Sequence, residues 1–283
     1  MLVNSDSLLS MASKEGYAVP AYNINNLEWA RFILEACQED KSPVILAVTE
    51  KSISYFGGTK VIYNMVKGLV DELSITIPVV LHLDHGSSVE ICKKAIDSGF
   101  TSVMMDASRK SMQDNVSDTN EVISYAANKN VSVEAEIGVL NEEEGESLEN
   151  DSVTPEDAKE FVLQTGVSSL APSVGNKHGI YKDEPKLDFE LLGLICKSVK
   201  IPLVLHGASG LNDNMIKTAI FCGVAKININ TDLQIVWADA VRRFLDYNKK
   251  EYDPRVIIAS GEQAIKKMVH YKNNLFGSKN RAV

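Results

Sequence analysis

Eight short β-branched runs alternate with longer stretches of helical spacing along the chain, and no other feature restricts the fold as strongly. The runs are YAVPAY (17–22), PVILAV (43–48), PVVLHLD (78–84), TSVMMD (101–106), VSVEAEI (131–137), SSLAPS (168–173), PLVLHG (202–207) and AKINI (225–229). Between them lie segments such as NLEWARFILEACQED, SVEICKKAIDSGF, TPEDAKEFVLQTG and DNMIKTAIFCG, which carry the periodicity of amphipathic helices. Strands that alternate with helices pair in parallel. Gly99, Gly166 and Gly223 stand where helices should end, each supplying a left-handed cap before the next strand. Eight such units favour an α/β fold of the (β/α)8 TIM-barrel type over an open doubly wound sheet. No GxGxxG follows the first strand, which removes the main support for a dinucleotide site. No linker or low-complexity tract interrupts the pattern, so residues 1–283 are expected to form a single barrel domain with a C-terminal helical extension.

The formal net charge is −9, with 45% hydrophobic and 24% charged residues, an ordinary balance for a soluble globular protein. That acidity argues against a nucleic-acid or anionic-membrane partner, while a small phosphorylated molecule can still be held by a local pocket. Cys37, Cys92, Cys196 and Cys222 form no CxxC pair and read as reduced, packed thiols. The opening MLVNSDSLLSMASKEG lacks a basic segment followed by a long apolar one, and no apolar run is long enough to cross a bilayer. The expected location is the cytoplasm.

The chain has five histidines, and His85, His178 and His206 fall at or just beyond the ends of the third, sixth and seventh runs. In a closed barrel those ends meet on one rim. Taken singly, each would be an ordinary packing or surface residue. Together they can surround one point and hold Zn²⁺ with an open coordination position. Asp84 leaves the strand in a different direction from His85, which makes it available as a general base beside the metal. Its alternative role is to orient an imidazole. His82 is expected to alternate to the opposite face and to be structural, and His270 lies in the C-terminal helical region with no visible partner. LHGASG places Gly207, Ser209 and Gly210 after the seventh strand, and NINTD places Asn228, Asn230 and Thr231 at the end of the eighth. Backbone amides at such turns and helix starts bind phosphate. A Lewis acid and a base beside a phosphate clamp suit enolate chemistry on a phosphorylated ketose.

The set YAVPAYNINNLEW, LHLDHG, TSVMMDAS, VSVEAEIG, GNKHGIY, LDFE, LVLHGASG, AKININTD, EYDPR and FGS, spread over nearly the whole chain, resembles the class II, zinc-dependent ketose-bisphosphate aldolases that act on fructose or tagatose bisphosphate. The resemblance implies that His85, His178 and His206 hold catalytic Zn²⁺ and that Asp84 is the acid/base at the C4 hydroxyl. It implies that Gly179, Lys182, Gly207, Ser209, Asn230 and Thr231 surround the C1 phosphate, with Asn23 and Asn228 on the substrate's polar backbone and a monovalent cation (Na⁺ or K⁺) near that phosphate. Asp106, Glu134 and Glu136 correspond to carboxylates near the metal, where Asp106 and Glu136 mark a second metal position. Glu144 takes the place of a loop glutamate that transfers a proton at C3. The implied reaction is reversible cleavage of fructose 1,6-bisphosphate to dihydroxyacetone phosphate and glyceraldehyde 3-phosphate through a zinc-stabilised enediolate. A homodimer or homotetramer is the implied assembly.

Some positions depart from the family pattern. Asn141 and Glu142 replace a Gly-Gly pair, Thr49 stands at the substrate rim where Ser is common, Lys51 replaces a small residue, Ser54 stands where Lys is frequent, Arg109 replaces His, and Ala208 replaces Gly. LHGASG leans toward tagatose bisphosphate, whereas KININTD and EYDPR lean toward fructose bisphosphate, the substrate chosen here. The competing readings are a tagatose-bisphosphate aldolase, a sugar-phosphate-binding paralogue with impaired turnover, and a zinc hydrolase on the same barrel.

Overall fold

Hydrogen bonding between neighbouring strands runs from the first strand to the eighth and closes back on the first, with every pair parallel. The structure, a computed structural model, describes residues 2–139, 153–177, 179, 181 and 183–282. Its strands are β1 (Val19–Asn23), β2 (Val44–Thr49), β3 (Val79–Gly86), β4 (Ser102–Met105), β5 (Ser132–Ile137), β6 (Ser169–Pro172), β7 (Leu203–Leu205) and β8 (Val224–Ile229). The helices are α1 (Asp6–Glu15), α2 (Leu27–Glu39), α3 (Glu50–Phe56), α4 (Thr59–Glu72), α5 (Val89–Ser98), α6 (Met112–Ala126), α7 (Pro155–Thr165), α8 (Phe189–Val199), α9 (Asp213–Phe221), α10 (Thr231–Tyr247), α11 (Pro254–Ala259) and α12 (Glu262–Leu275). The expected (β/α)8 barrel is therefore present, and each strand lies within one of the eight runs or extends it by up to two residues. Gly99 and Gly166 cap α5 and α7 in the left-handed region, at φ 103° and 67°. Gly223 sits one residue past the cap of α9, at φ 109°.

Side chains alternate between the barrel interior and the helical layer. Val79, Leu81 and Leu83 of β3 pack outward in the main core with residues of the surrounding helices such as Val66 and Cys92. Val80 points inward and joins Val19, Ala21, Ile45 and Ala225 in a small apolar cluster, on which α1 places Leu9 and Ala12. That helix closes one end of the barrel. Above Val80 the same inward row continues as His82 and Asp84. His82 thus does not face away from Asp84 as expected from the sequence, because residues two apart share a face. Its ring lies inside the barrel, with Nδ1 2.8 Å from Ser102 Oγ and Nε2 3.2 Å from Lys226 Nζ.

The alternation breaks once, at the end of β3. Leu83 pairs with Val103 and Gly86 with Met105, so β3 uses three steps where β4 uses two. His85 absorbs the extra residue in the left-handed region, at φ 51°, the behaviour of a β-bulge. The bulge lets the adjacent side chains of Asp84 and His85 line one cavity. At the other end of the chain, α12 docks on α2 through Lys266–Glu35 at 2.6 Å and Arg31–Glu262 at 3.3 Å. His270 there finds the partner that the sequence did not show: its Nδ1 lies 2.8 Å from the buried carboxylate of Asp40.

Gly86 has no room for a side chain. A Cβ would stand 2.7 Å from Met104 O, 2.8 Å from Cys92 Sγ and 2.9 Å from Leu83 Cδ2. Gly86→Ala is expected to lower stability by about 1–3 kcal/mol, read as a lower urea midpoint at unchanged slope. An unchanged midpoint would mean that the β3–β4 seam yields without cost.

Candidate active site

A cavity of about 650 Å³ opens at the C-terminal ends of the strands, the face on which barrel chemistry is built. Among its lining residues are Asn23, Thr49, Asp84, His85, Gly179, Gly207, Ser209, Asn228, Asn230 and Thr231. These residues come from six separate stretches of the sequence, all singled out above, and barrel closure brings them together. His206 is fully buried behind His85. His178, Lys182 and Glu144 lie outside the described residues, as do Asn141 and Glu142.

Two imidazoles form the floor of the site. His85 Nε2 and His206 Nδ1 are 2.9 Å apart, with the rings inclined at 75°. The far nitrogen of each ring faces a carboxylate: His85 Nδ1 lies 2.7 Å from Asp106 Oδ2, and His206 Nε2 lies 3.1 Å from Glu134 Oε1. A carboxylate accepts, so each far nitrogen carries the proton. In two neutral rings the facing nitrogens would then both present lone pairs. One proton or one cation between them resolves that conflict.

Carboxylates dominate the surroundings. Glu136 Oε2 is 4.0 Å from His85 Nδ1 and, though buried, has no hydrogen-bond partner among the described residues. Burial and then the neighbouring Asp106 carboxylate raise the Glu136 carboxyl well above its ordinary range. Burial alone would lower the His85 imidazole, but Asp84, the hydrogen bond to Asp106 and Glu136 raise it to about 10. His206 moves the other way, lowered mainly by burial. Within this cluster, Asp84, His85 and His206 each offer one ligand atom within 4.8 Å of the others, and so do His85, Asp106 and Glu136. Two imidazoles with carboxylate partners behind them and an unsatisfied buried carboxylate oxygen fit a divalent cation.

Asp84 is held as an acceptor. Asn23 Nδ2 donates to its Oδ2 at 2.8 Å, and Asn228 Nδ2 donates to its Oδ1 at 2.9 Å. Burial would raise its carboxyl, yet the facing imidazoles of His85 and His206 and the Lys226 ammonium hold it well below the ordinary carboxylate range. Its Oδ1 stands 4.0 Å from His85 Nε2.

The opposite wall is made of polar turns. Gly207, at φ 62°, passes so close to the 177 carbonyl that a Cβ would meet Lys177 O at 2.2 Å, so only glycine fits. Tyr181 Oη donates to Gly207 O at 2.9 Å. Asn230 precedes the 17-residue α10 without capping it by a side-chain hydrogen bond; the Asp232 amide of its first turn donates to Ser209 Oγ at 3.4 Å, and a helix start of this kind suits an anion. Thr49 has a second duty, accepting from the Ser52 amide as the cap of α3. Lys51 lines the cavity; Arg109 is not among its lining residues.

Sequence reasoning missed three residues. Lys226 is buried within β8, and its ammonium binds both oxygens of Glu134. The signal was present, since Lys226, Asn228 and Asn230 recur at period two. Asp232 accepts from the Gly210 amide at 3.1 Å and pairs with the buried Lys272 at 2.6 Å, tying the Ser209–Gly210 turn to α12. Nothing local announces that pair.

Comparison with known proteins agrees with this geometry. The family model described as fructose-bisphosphate aldolase class-II matches residues 3–281. The chain is 47% identical to a fructose-bisphosphate aldolase of Geobacillus stearothermophilus and 48% identical to one of Staphylococcus aureus, each alignment covering 99% of both chains. Among solved structures, the YdjI aldolase of Escherichia coli superposes with a TM-score of 0.87 at 34% identity, covering 100% of both chains. A fructose-bisphosphate aldolase of Campylobacter jejuni gives 0.84 at 26% identity, covering 99% of this chain and 96% of that one. A closed eight-stranded barrel, a histidine pair backed by carboxylates and an end-to-end match together place the chain in the class II fructose-bisphosphate aldolase family.

Proposed function

We propose that the protein catalyses the reversible aldol cleavage of fructose 1,6-bisphosphate to dihydroxyacetone phosphate and glyceraldehyde 3-phosphate, as a zinc-dependent enzyme. The observation that supports this reading best is the pair of facing nitrogens, His85 Nε2 and His206 Nδ1, at 2.9 Å beside a buried carboxylate. His85 and His206 would hold Zn²⁺, with His178 as the third ligand read from the sequence. When bound, the ion supplies Lewis-acid stabilisation of negative charge developing at the substrate's carbonyl oxygen. Asp106 and Glu136 are the candidates for a second metal position.

The protein's own groups would do the rest. Asp84, ionised and oriented by Asn23 and Asn228, removes the proton from the C4 hydroxyl. The C4–O bond gains double-bond character as the C3–C4 bond breaks, and the bonding pair is left on C3. Glyceraldehyde 3-phosphate departs as the aldehyde. Protonation at C3 then completes dihydroxyacetone phosphate, the role proposed for Glu144 from the sequence. Gly207, Ser209, Asn230 and Thr231, with Gly179 and Lys182, would clamp the C1 phosphate and fix the register of the C3–C4 bond against Asp84. A monovalent cation near that phosphate, a cytoplasmic location and a homodimeric or homotetrameric assembly are proposed on the family resemblance. No helix among the described residues is long and apolar enough to cross a membrane.

A coupled cleavage assay tests the metal requirement directly. Treatment with a strong chelator is expected to abolish turnover, and added Zn²⁺ to restore it; full activity in metal-stripped protein would refute the reading. Asp84→Ala is expected to keep bound zinc and to lose about 10²–10⁴-fold in kcat. An active variant would remove the assignment of the base.

Substrate choice is settled by one preparation and two epimers. The ratio of kcat/KM for fructose 1,6-bisphosphate over tagatose 1,6-bisphosphate is expected to exceed about tenfold, equivalent to about 1.4 kcal/mol of differential transition-state binding. A ratio below one would transfer the assignment to the tagatose epimer.

A further inference from the structure

Lys226 is a costly residue in a costly place. It is 1% exposed within β8, and the Glu134 carboxylate it meets is 2% exposed. Neither residue lines the active-site cavity. Burying two such charges costs several kcal/mol per ion before their attraction is counted, and well-packed apolar residues often serve stability as well or better. A role in stability alone therefore explains the pair poorly.

The hydrogen bonds give a direction to the arrangement. Lys226 Nζ donates to Glu134 Oε1 at 2.8 Å and to Oε2 at 2.7 Å, and lies 3.2 Å from His82 Nε2. His82 Nδ1 is in turn 2.8 Å from Ser102 Oγ. All three ammonium protons are thereby used. On the other side, Glu134 Oε1 is the acceptor for His206 Nε2 at 3.1 Å, and Ser169 Oγ donates to Oε2 at 3.3 Å. The order from strand to strand is Ser102, His82, Lys226, Glu134, His206, ending on the nitrogen that faces His85.

We infer that Lys226 is a positioning residue for the metal: by clamping both oxygens of Glu134 it fixes His206 with its proton on Nε2 and its Nδ1 lone pair toward His85. The inference rests on the proposed reading of His85 and His206 as zinc ligands. Lys226 touches neither substrate nor metal and acts two hydrogen bonds away. The same contacts separate it from an imine-forming lysine, because an ammonium with all its protons engaged by buried acceptors offers no lone pair for attack on a carbonyl.

The test is a double-mutant cycle read by zinc affinity rather than by turnover, using Lys226→Met, Glu134→Gln and the two combined. Zinc affinity is measured by competition with a chromophoric chelator, and the Co²⁺-loaded proteins are compared by their visible absorption. Lys226→Met leaves a buried carboxylate without its counter-charge and is expected to weaken zinc binding by about 10–100-fold. The combined variant has no charge to compensate, and its amide oxygen can accept the same His206 proton, so most of the affinity and the wild-type Co²⁺ spectrum are expected to return. Should Lys226→Met fail to fold, the combined variant decides the matter by itself: wild-type-like zinc affinity supports the inference, and a folded protein with weak affinity overturns it. Zinc binding by Lys226→Met as tight as in the wild type would also overturn it, as would a covalent adduct between Lys226 and the substrate trapped by borohydride. Failure of the underlying reading looks different, because the unmodified protein would then bind no zinc and ignore the chelator.

Discussion

Two imidazole nitrogens held face to face organise this molecule, because the buried charged side chains of Asp84, Glu134, Glu136 and Lys226 are arranged around them. His85 Nε2 and His206 Nδ1 stand 2.9 Å apart, and the ring positions are set from behind, by Asp106 on one side and Glu134 on the other. Each of those carboxylates is itself held: Asp106 by the hydroxyl and amide of Ser108, Glu134 by Lys226 and Ser169. The supports come from β5, β6, β8 and the end of β4, while the two histidines come from the ends of β3 and β7. An open sheet would spread these strands over a wide, twisted surface. Closure places them around one axis, which is why the site is a property of the barrel and not of any single motif.

The electrostatic composition follows the same logic. Asp84, Asp106, Glu134 and Glu136 all lie close to the histidine pair, and Lys226 is the ammonium set among them. The excess of carboxylates pulls its members in opposite directions. Glu134 is kept well below the ordinary carboxylate range despite burial, by Lys226 first and then by the His206 hydrogen bond, while Glu136 is raised well above it by burial and then by the neighbouring Asp106 carboxylate. An imidazole suits the junction between such groups, since it can serve as a neutral ligand or as a charged partner.

Much of this was legible in the sequence, and the parts that were not have definite physical reasons. The eight strands were readable from apolar runs bounded by turns, and Asp84, His85, His206, Ser209 and Asn228 from their places at strand ends. What hid was whatever depends on closure or on a local break in alternation. The bulge at His85 leaves no mark on composition, so strict period-two reasoning sent Asp84 and His85 apart, whereas both line one cavity. His82, expected on the opposite face, shares the inward face with Asp84, two residues on, and meets Lys226 there. Lys272 and Asp232, forty positions apart, meet only because α12 folds back along the barrel. The covering of Asp40 by His270 and Asn273 has the same origin.

The bulge also reconciles two demands on Asp84 that conflict in a regular strand. A carboxylate has about four acceptor positions, and the amides of Asn23 and Asn228 use one on each oxygen, which orients the group without saturating it. In its proposed role, the positive field that keeps Asp84 ionised would weaken it as a base, for a depressed pKa means a smaller driving force for taking a proton. Such a base works only on a hydroxyl made more acidic by that same field. On the proposed reading, acceptor and ligand would therefore reach the hydroxyl from the same side. In a flat strand, residues 84 and 85 would point to opposite faces. One inserted residue, with His85 in a left-handed conformation, turns both toward the cavity, and on the proposed mechanism this backbone irregularity serves the chemistry and is not a defect of the sheet.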